Sequence, residues 1–294
     1  MASLLGARLA RAGHGVTLAG TWHAALEAVD RHGVSVEDTD GRWSAPVHAV
    51  HSTAPMTPHE LVLVLVKSHQ TQAIAPAAAR AAGLGGFLVT LQNGLGNREA
   101  LEHAAGRGRV GVGVTLAGAT LLGPGEVRGH LAKTILGDDG SGRAARACRL
   151  FRDAGLETEL DPNIDRVVWR KLAVNCALNP LSALEGVTNG TLLERSLWRE
   201  TIETTAREVG AVAAVRGMEL GDTAAQALDA ARLTAGNRSS MLQDLERGVR
   251  TEIDAINGAV VLEGRRLGVP TPANEALWRA VRQREAGLVT GARR

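Results

Sequence analysis

Lys171, Asn175 and Asn179 recur at every fourth position of Val-Val-Trp-Arg-Lys-Leu-Ala-Val-Asn-Cys-Ala-Leu-Asn, residues 167–179. Good helix formers dominate this stretch and nothing breaks it before Pro180, so the sequence predicts a helix over 167–179. Residues four apart stack on one helix face. The remainder of the stretch is apolar almost all round, which predicts burial. An ammonium beside two carboxamides in such a place costs free energy unless something pairs with it. A solvent-facing stripe on an ordinary amphipathic helix is the blander reading, but the composition weighs against it. Arg supplies nearly all of the positive charge, and Lys67, Lys133 and Lys171 are the only lysines. A compact ammonium kept where Arg is otherwise preferred suits proton transfer, because burial can tune its pKa.

Further polar residues call for partners of their own. Lys67 follows the apolar run Leu61–Val66, and Asn93 follows Phe87–Leu91. If both runs are strands of an open α/β sheet, both residues lie at carboxyl ends, the edge where such sheets hold ligands. A plain turn at Asn93-Gly94 and a solvated loop lysine at 67 are the alternatives. Farther on, Asn237-Arg-Ser-Ser-Met-Leu-Gln-Asp244 leads to Thr251-Glu252. A continuous helix would bring Ser240, Asp244 and Glu252 to roughly one face. The start of that helix falls at Asn237 or Ser239 as N-cap. A buried Glu252 would be the natural counter-ion for Lys171.

The elements that must position these residues fall into two groups. Residues 1–160 alternate short apolar strands with helices, the pattern of a doubly wound parallel sheet. Predicted strands include 16–19, 34–36 and 43–47 about an Asp38-Thr-Asp-Gly41 turn, 61–66, 87–91, 110–115 and one near Ile135. Gly123-Pro-Gly125 reads as a turn, and a helix is expected over 143–154. Residues 161–294 are helical almost throughout, including 200–216 and 252–267, with a loop at Gly268-Val-Pro-Thr-Pro272. The boundary therefore falls near Asp161, with an α/β domain over 1–160 and an all-α domain over 161–294.

Global properties narrow the partners. With 294 residues there is enough chain for two cores, and the net charge of +2 suggests neither nucleic acid nor a membrane surface. Aromatic residues are 2 % with no Tyr, so Ala, Val and Leu must build the cores. Cys148 and Cys176 lie in helical patterns and suggest neither a disulfide framework nor a metal site. No run approaches the roughly 20 apolar residues that span a bilayer, and no signal-peptide pattern opens the chain. These features predict a soluble, cytoplasmic protein.

Val-Lys-Ser-His-Gln-Thr around Lys67, Leu-Gln-Asn-Gly-Leu-Gly at 91–96, Trp-Arg-Lys-Leu-Ala-Val-Asn at 169–175 and Ser-Ser-Met-Leu-Gln-Asp at 239–244 resemble the motifs of the ketopantoate reductase (2-dehydropantoate 2-reductase) family, in order over nearly the whole chain. The resemblance implies a Rossmann-like domain followed by a helical substrate and dimerisation domain. It also implies reduction of 2-dehydropantoate with NADPH, on the route to pantothenate and coenzyme A. Carried over, Lys171 matches the catalytic lysine, and Glu252 the acidic residue beside lysine and cofactor. Asn175, Asn179, Asn189, Asn237 and Ser240 match substrate-holding positions. Ala2, Ser3, Thr21, Lys67, Asn93 and Ala117 match cofactor-contacting positions.

The chain departs from the family pattern in two places. It begins inside the G-x-G-x-x-G loop, with Ala2 in the third glycine's place, so the first strand of the sheet and two glycines whose amides would cradle a pyrophosphate are missing. An N-terminally truncated product, or a start placed too far downstream, is the expectation, with weak NADPH binding as its consequence. Thr21 also stands where an Arg suited to a 2′-phosphate is usual, which leaves NADH as an alternative donor. A catalytically impaired relic and a reductase of another 2-keto acid are the competing readings.

Overall fold

A computed structural model of the chain describes residues 1–291. Packing divides the chain into two compact units, the first comprising Met1–Val66, Gln70–Gln92 and Asn97–Ile164. The second takes Lys67–His69, Asn93–Gly96 and the chain from Asp165 onward.

The first unit opens with α1 (Ala2–Arg11), β1 (Thr17–Gly20), α2 (His23–His32), β2 (Val34–Asp38), β3 (Gly41–Ala45) and β4 (His48–His51). Next come β5 (Leu61–Val64), α3 (Thr71–Ala82), β6 (Phe87–Thr90), α4 (Asn97–Ala105) and β7 (Val110–Thr115). β8 (Gly118–Gly123), β9 (Glu126–His130), β10 (Thr134–Gly137), α5 (Arg143–Asp153) and β11 (Thr158–Asp161) complete it. Strands β5, β6 and β7 pair in parallel, with Val62 opposite Leu88 and Val89 opposite Gly111. Their unbroken apolar runs suit strands covered on both faces by helices. On one face Leu88 and Val64 pack with Ala75 and Leu101; on the other Phe87, Val89 and Leu91 pack with Phe151 and Leu5. This is the Rossmann-like winding expected from the alternation of strands and helices. β10 runs antiparallel to β7, and β11 parallel to β10, giving the order β11-β10-β7-β6-β5. β1 pairs in parallel with β4 as a separate two-stranded sheet.

A four-stranded sheet, β3-β2-β9-β8, is the unanticipated part of this unit. The hairpin about Asp38 to Gly41 is as predicted, with Gly41 at φ +91. Beyond it, the segment read only as a turn at 123–125 forms the β8–β9 hairpin, and β9 adds in parallel to β2 with Val36 opposite Val127. In β9, Gly129 replaces an apolar side chain because a Cβ there would come within 2.5 Å of the Leu4 side chain of α1. α1 is also tied down by Arg8, which bonds Asp38 at 2.5 Å and Asp40 at 2.8 Å and lies over the Trp43 ring.

The second unit consists of α6 (Ile164–Glu185), α7 (Ser196–Val215), α8 (Thr223–Leu233), α9 (Ser240–Glu246), a π-helical turn (Asp254–Gly258), α10 (Ala259–Leu267) and α11 (Pro272–Gly291). Its core joins Leu172 and Cys176 of α6 to Val209, Met241, Ile253, Ile256 and Val260. Two predictions need correction here. α6 does not stop at Pro180 but runs through it to Glu185. Proline removes the N–H that would bond the carbonyl four residues back, the reason it normally ends a helix. Asn257 Nδ2 donates to that carbonyl, Cys176 O, at 3.0 Å, so the helix continues without an orphaned acceptor. The second correction concerns Asp244 and Glu252, which do not share one helix. α9 ends at Glu246, and Gly248 at φ +67 turns the chain before Glu252.

Candidate active site

Along α6, Lys171, Asn175 and Asn179 are half-buried, whereas Leu172, Ala173, Cys176, Ala177 and Leu178 between them are buried. The stripe therefore interrupts the buried stretch from Leu172 to Leu178, less deeply buried than the sequence predicted. The side-chain amides of Asn175 and Asn179 bond to no other described residue. Burial nevertheless pushes the Lys171 ammonium down to about 8, and the negative charge of Glu252 works against that fall. Near neutral pH the group still carries its proton, at a pKa from which it can be given up.

Glu252 is 7 % exposed and fully engaged by two loops that follow strands β5 and β6. Its Oε1 accepts from Ser68 N at 3.0 Å and Ser68 Oγ at 2.8 Å, and its Oε2 accepts from Asn93 Nδ2 at 3.1 Å. Gly94 lets the Asn93 loop approach: its φ is +80, and a Cβ would lie 2.3 Å from Ala255 O. Leu95 N donates to that same carbonyl at 2.9 Å. Asn93-Gly94 is thus more than a turn, since it carries a side chain onto Glu252. Ser68 was not singled out by sequence reasoning; its position directly after Lys67 was the available signal.

Lys67 Nζ pairs with Asp244 Oδ2 at 2.6 Å, and Asp244 is 5 % exposed. Burial pushes the Asp244 carboxyl up, the Lys67 bond pulls it down, and the nearby Glu252 charge raises it again. Ser239 is the N-cap of α9, accepting from Leu242 N at 3.0 Å, which leaves Ser240 exposed on the first turn. Asn189 is buried, donates to Thr234 Oγ1 at 2.9 Å and keeps a buried Oδ1 without a partner. Its backbone N–H donates to the carbonyl of the exposed Asn237 at 3.0 Å. The second unit therefore gathers Lys67, Asn93, Asp244 and Glu252, with Lys171 inside the field of Glu252.

The remaining predicted residues belong to the first unit. Ala2 and Ser3 open α1, which has no side-chain cap and no acidic residue in its first turn. Thr21 is exposed just after β1. Ala117 N donates to Thr115 Oγ1 at 3.2 Å in the bend between β7 and β8. Among the described residues no cluster of His, Cys, Asp and Glu could hold a metal ion.

The ketopantoate reductase PanE/ApbA family profile matches residues 1–139, and its C-terminal counterpart matches 163–285. The chain belongs to the ketopantoate reductase family. Among curated relatives, a 2-dehydropantoate 2-reductase of Archaeoglobus fulgidus is 37 % identical over 81 % of this chain and 81 % of its own. One from Halobacterium salinarum is 34 % identical over 96 % and 95 %. Among solved structures, a ketopantoate reductase from Ralstonia eutropha superposes with TM-score 0.89 at 32 % identity, covering 97 % and 95 %. A D-mandelate dehydrogenase determined with NADH and anilino(oxo)acetate superposes with TM-score 0.91 at 26 % identity, covering 97 % and 96 %. Within this family the pairing of a parallel-sheet unit with a helical one is the expected architecture. No described helix is long and apolar enough to cross a membrane.

Proposed function

We propose that the chain is an oxidoreductase that reduces 2-dehydropantoate to pantoate with NADPH, in the cytoplasm, as a monomer or homodimer. In this reading residues 1–160 take the dinucleotide and residues 161–294 take the keto acid. The observation that carries it is the half-buried stripe of α6, where a lysine held near pKa 8 is followed by two amides whose side chains bond to no other described residue. Curated 2-dehydropantoate 2-reductases at 30–37 % identity over most of the chain support the same substrate.

The residues present fit a dinucleotide. The uncapped start of α1 leaves first-turn amides suited to a phosphate, and no acidic residue there opposes an anion. Ala2, Ser3, Lys67, Asn93, Ala117 and Thr21 would hold it. Thr21 offers a hydroxyl rather than a guanidinium, so NADH is the alternative donor. When bound, the nicotinamide supplies a hydride to the ketone carbon.

The chain's own residues do the rest. The Lys171 ammonium bonds the ketone oxygen, stabilises the charge that develops there and donates its proton, so the ketone becomes a secondary alcohol. Lys171 then recovers a proton from solvent. Asn175 and Asn179 bind the polar groups of the substrate, with Asn189, Asn237 and Ser240 as further substrate-holding residues. Glu252, fixed by Ser68 and Asn93, keeps the lysine protonated.

A reductase of another 2-keto acid is the second reading, favoured by the likeness to D-mandelate dehydrogenase. Loss of reduced-nicotinamide absorbance, measured with 2-dehydropantoate and with benzoylformate, separates the two. Higher kcat/KM on 2-dehydropantoate is expected; a preference for the aryl acid overturns the assignment.

A further inference from the structure

Pro180 sits inside α6, directly after Asn179, and is buried. Its ring cannot donate to Cys176 O and crowds that carbonyl, which opens the helix locally. Asn257 Nδ2 meets the freed carbonyl at 3.0 Å. Asn257 is fully buried and lies in the π-helical turn that follows Glu252. π-helical turns concentrate at functional sites, where they re-aim neighbouring side chains. The same Nδ2 also donates to Asn274 Oδ1 at 3.0 Å. Asn274, again fully buried, donates to Thr205 O at 3.1 Å and Glu208 Oε2 at 2.8 Å. Glu208 in turn accepts from the backbone of Ala273 and Asn274 at the start of α11. The interior of the second unit therefore holds a continuous polar chain from α7 to the one carbonyl of α6 that proline releases.

That carbonyl lies between Asn175 and Asn179, and the turn that reaches it is five residues beyond Glu252. A buried carbonyl could be satisfied more simply by a non-proline residue at 180. The pair Pro180 and Asn257 does something else, because it ties the stripe of α6 to the segment bearing Glu252. We propose that Asn257 is a positioning residue: with Pro180 it fixes the aim of Asn179 and Asn175 and the spacing of Lys171 from Glu252. The substrate-facing half of this inference rests on the proposed reduction of a 2-keto acid.

Three variants test it: Asn257→Ala, Pro180→Ala and the two combined. Asn257→Ala should lower the melting temperature by about 3 °C, because two buried acceptors, Cys176 O and Asn274 Oδ1, lose their donor. It should raise KM for 2-dehydropantoate about tenfold while kcat changes less. Pro180→Ala restores an N–H to the helix, so its melting temperature should hold while KM rises similarly. In the double variant melting should recover in part, since Asn274 Oδ1 still lacks its donor, and KM should not recover. With three lysines in the chain, isotope-labelled lysine gives resolved titrations by NMR without substrate. Lys171 should titrate at lower pH in Asn257→Ala, as Glu252 loses its fixed place.

Melting in the double variant no higher than in Asn257→Ala alone refutes the assignment of Asn257 to the Cys176 carbonyl. An unmoved KM and an unmoved Lys171 titration in Asn257→Ala, or a KM restored in the double variant, reduce Asn257 to a structural filler and overturn the proposal. If the unmodified chain fails to reduce 2-dehydropantoate, the substrate reading falls. The melting cycle and the lysine titration then still decide the role of Asn257.

Discussion

Two buried carboxylates, Asp38 in the first unit and Asp244 in the second, end on opposite sides of their ordinary value although burial raises both. Burial pushes the Asp38 carboxyl up, but bonds from Trp43, the Asp40 N–H and Arg8 outweigh it and hold the group below its ordinary value. Asp244 has Lys67 as its bonded cation and Glu252 as a repelling neighbour, so burial prevails and the group rises. The number of donors decides the outcome. A charge met by several donors fastens a helix to a hairpin, whereas one met by few, such as Asp244, stays sensitive to its surroundings.

Breaking the fastened charge should have the largest effect. Arg8→Ala leaves Asp38 buried without its guanidinium and should cost about 3–5 kcal/mol of stability, read by urea unfolding. Turnover per folded molecule should be unchanged, and a loss below about 1 kcal/mol would show that the pair contributes nothing net. Next comes the poised charge: Lys171→Ala should lower kcat/KM by at least ~100-fold. Lys171→Arg should fail too, because a guanidinium resists deprotonation. Near-normal turnover in either variant removes Lys171 from the mechanism.

The pH dependence sharpens the comparison. Activity needs the protonated ammonium, so kcat/KM should fall as pH rises past about 8, and Glu252→Gln should move that alkaline limb to lower pH. Stability should run the other way. Lys171 in the folded chain binds its proton less tightly than in the unfolded chain, so ionising it opposes folding. That penalty is present below about 8 and is lifted as pH rises towards the ordinary lysine value of 10.5. Unfolding free energies of the wild type and Lys171→Met across that window should converge at the alkaline end. A gap that persists there would refute the burial penalty. The smallest expected effect is Ser68→Ala, which removes one of three donors to Glu252. It should cost about 1 kcal/mol of stability and a few-fold in kcat/KM.

Local signals carried much of this architecture. The fourfold spacing of Lys171, Asn175 and Asn179 announced the stripe, and the apolar runs at 61–66 and 87–91 announced the parallel strands. What stayed hidden depended on partners distant in sequence. α6 passes Pro180 because a donor lies 81 residues beyond the carbonyl it serves. Lys67 meets Asp244 across 177 residues, a pairing no spacing rule reaches. β9 carries Gly129 where a side chain would meet Leu4, so it does not show the full alternation of a half-buried strand. The helix drawn through Asp244 and Glu252 overlooked Gly248, whose positive φ turns the chain between them.

The approach of Gly94 to Ala255 O also constrains how this sequence can drift. Any side chain at 94 would displace the backbone beside Glu252, so the position behaves as a lock shared by two stretches of gene 161 codons apart. Substitutions at one should survive only alongside changes at the other, and random libraries built on this chain should recover position 94 as glycine even under selection for folding alone.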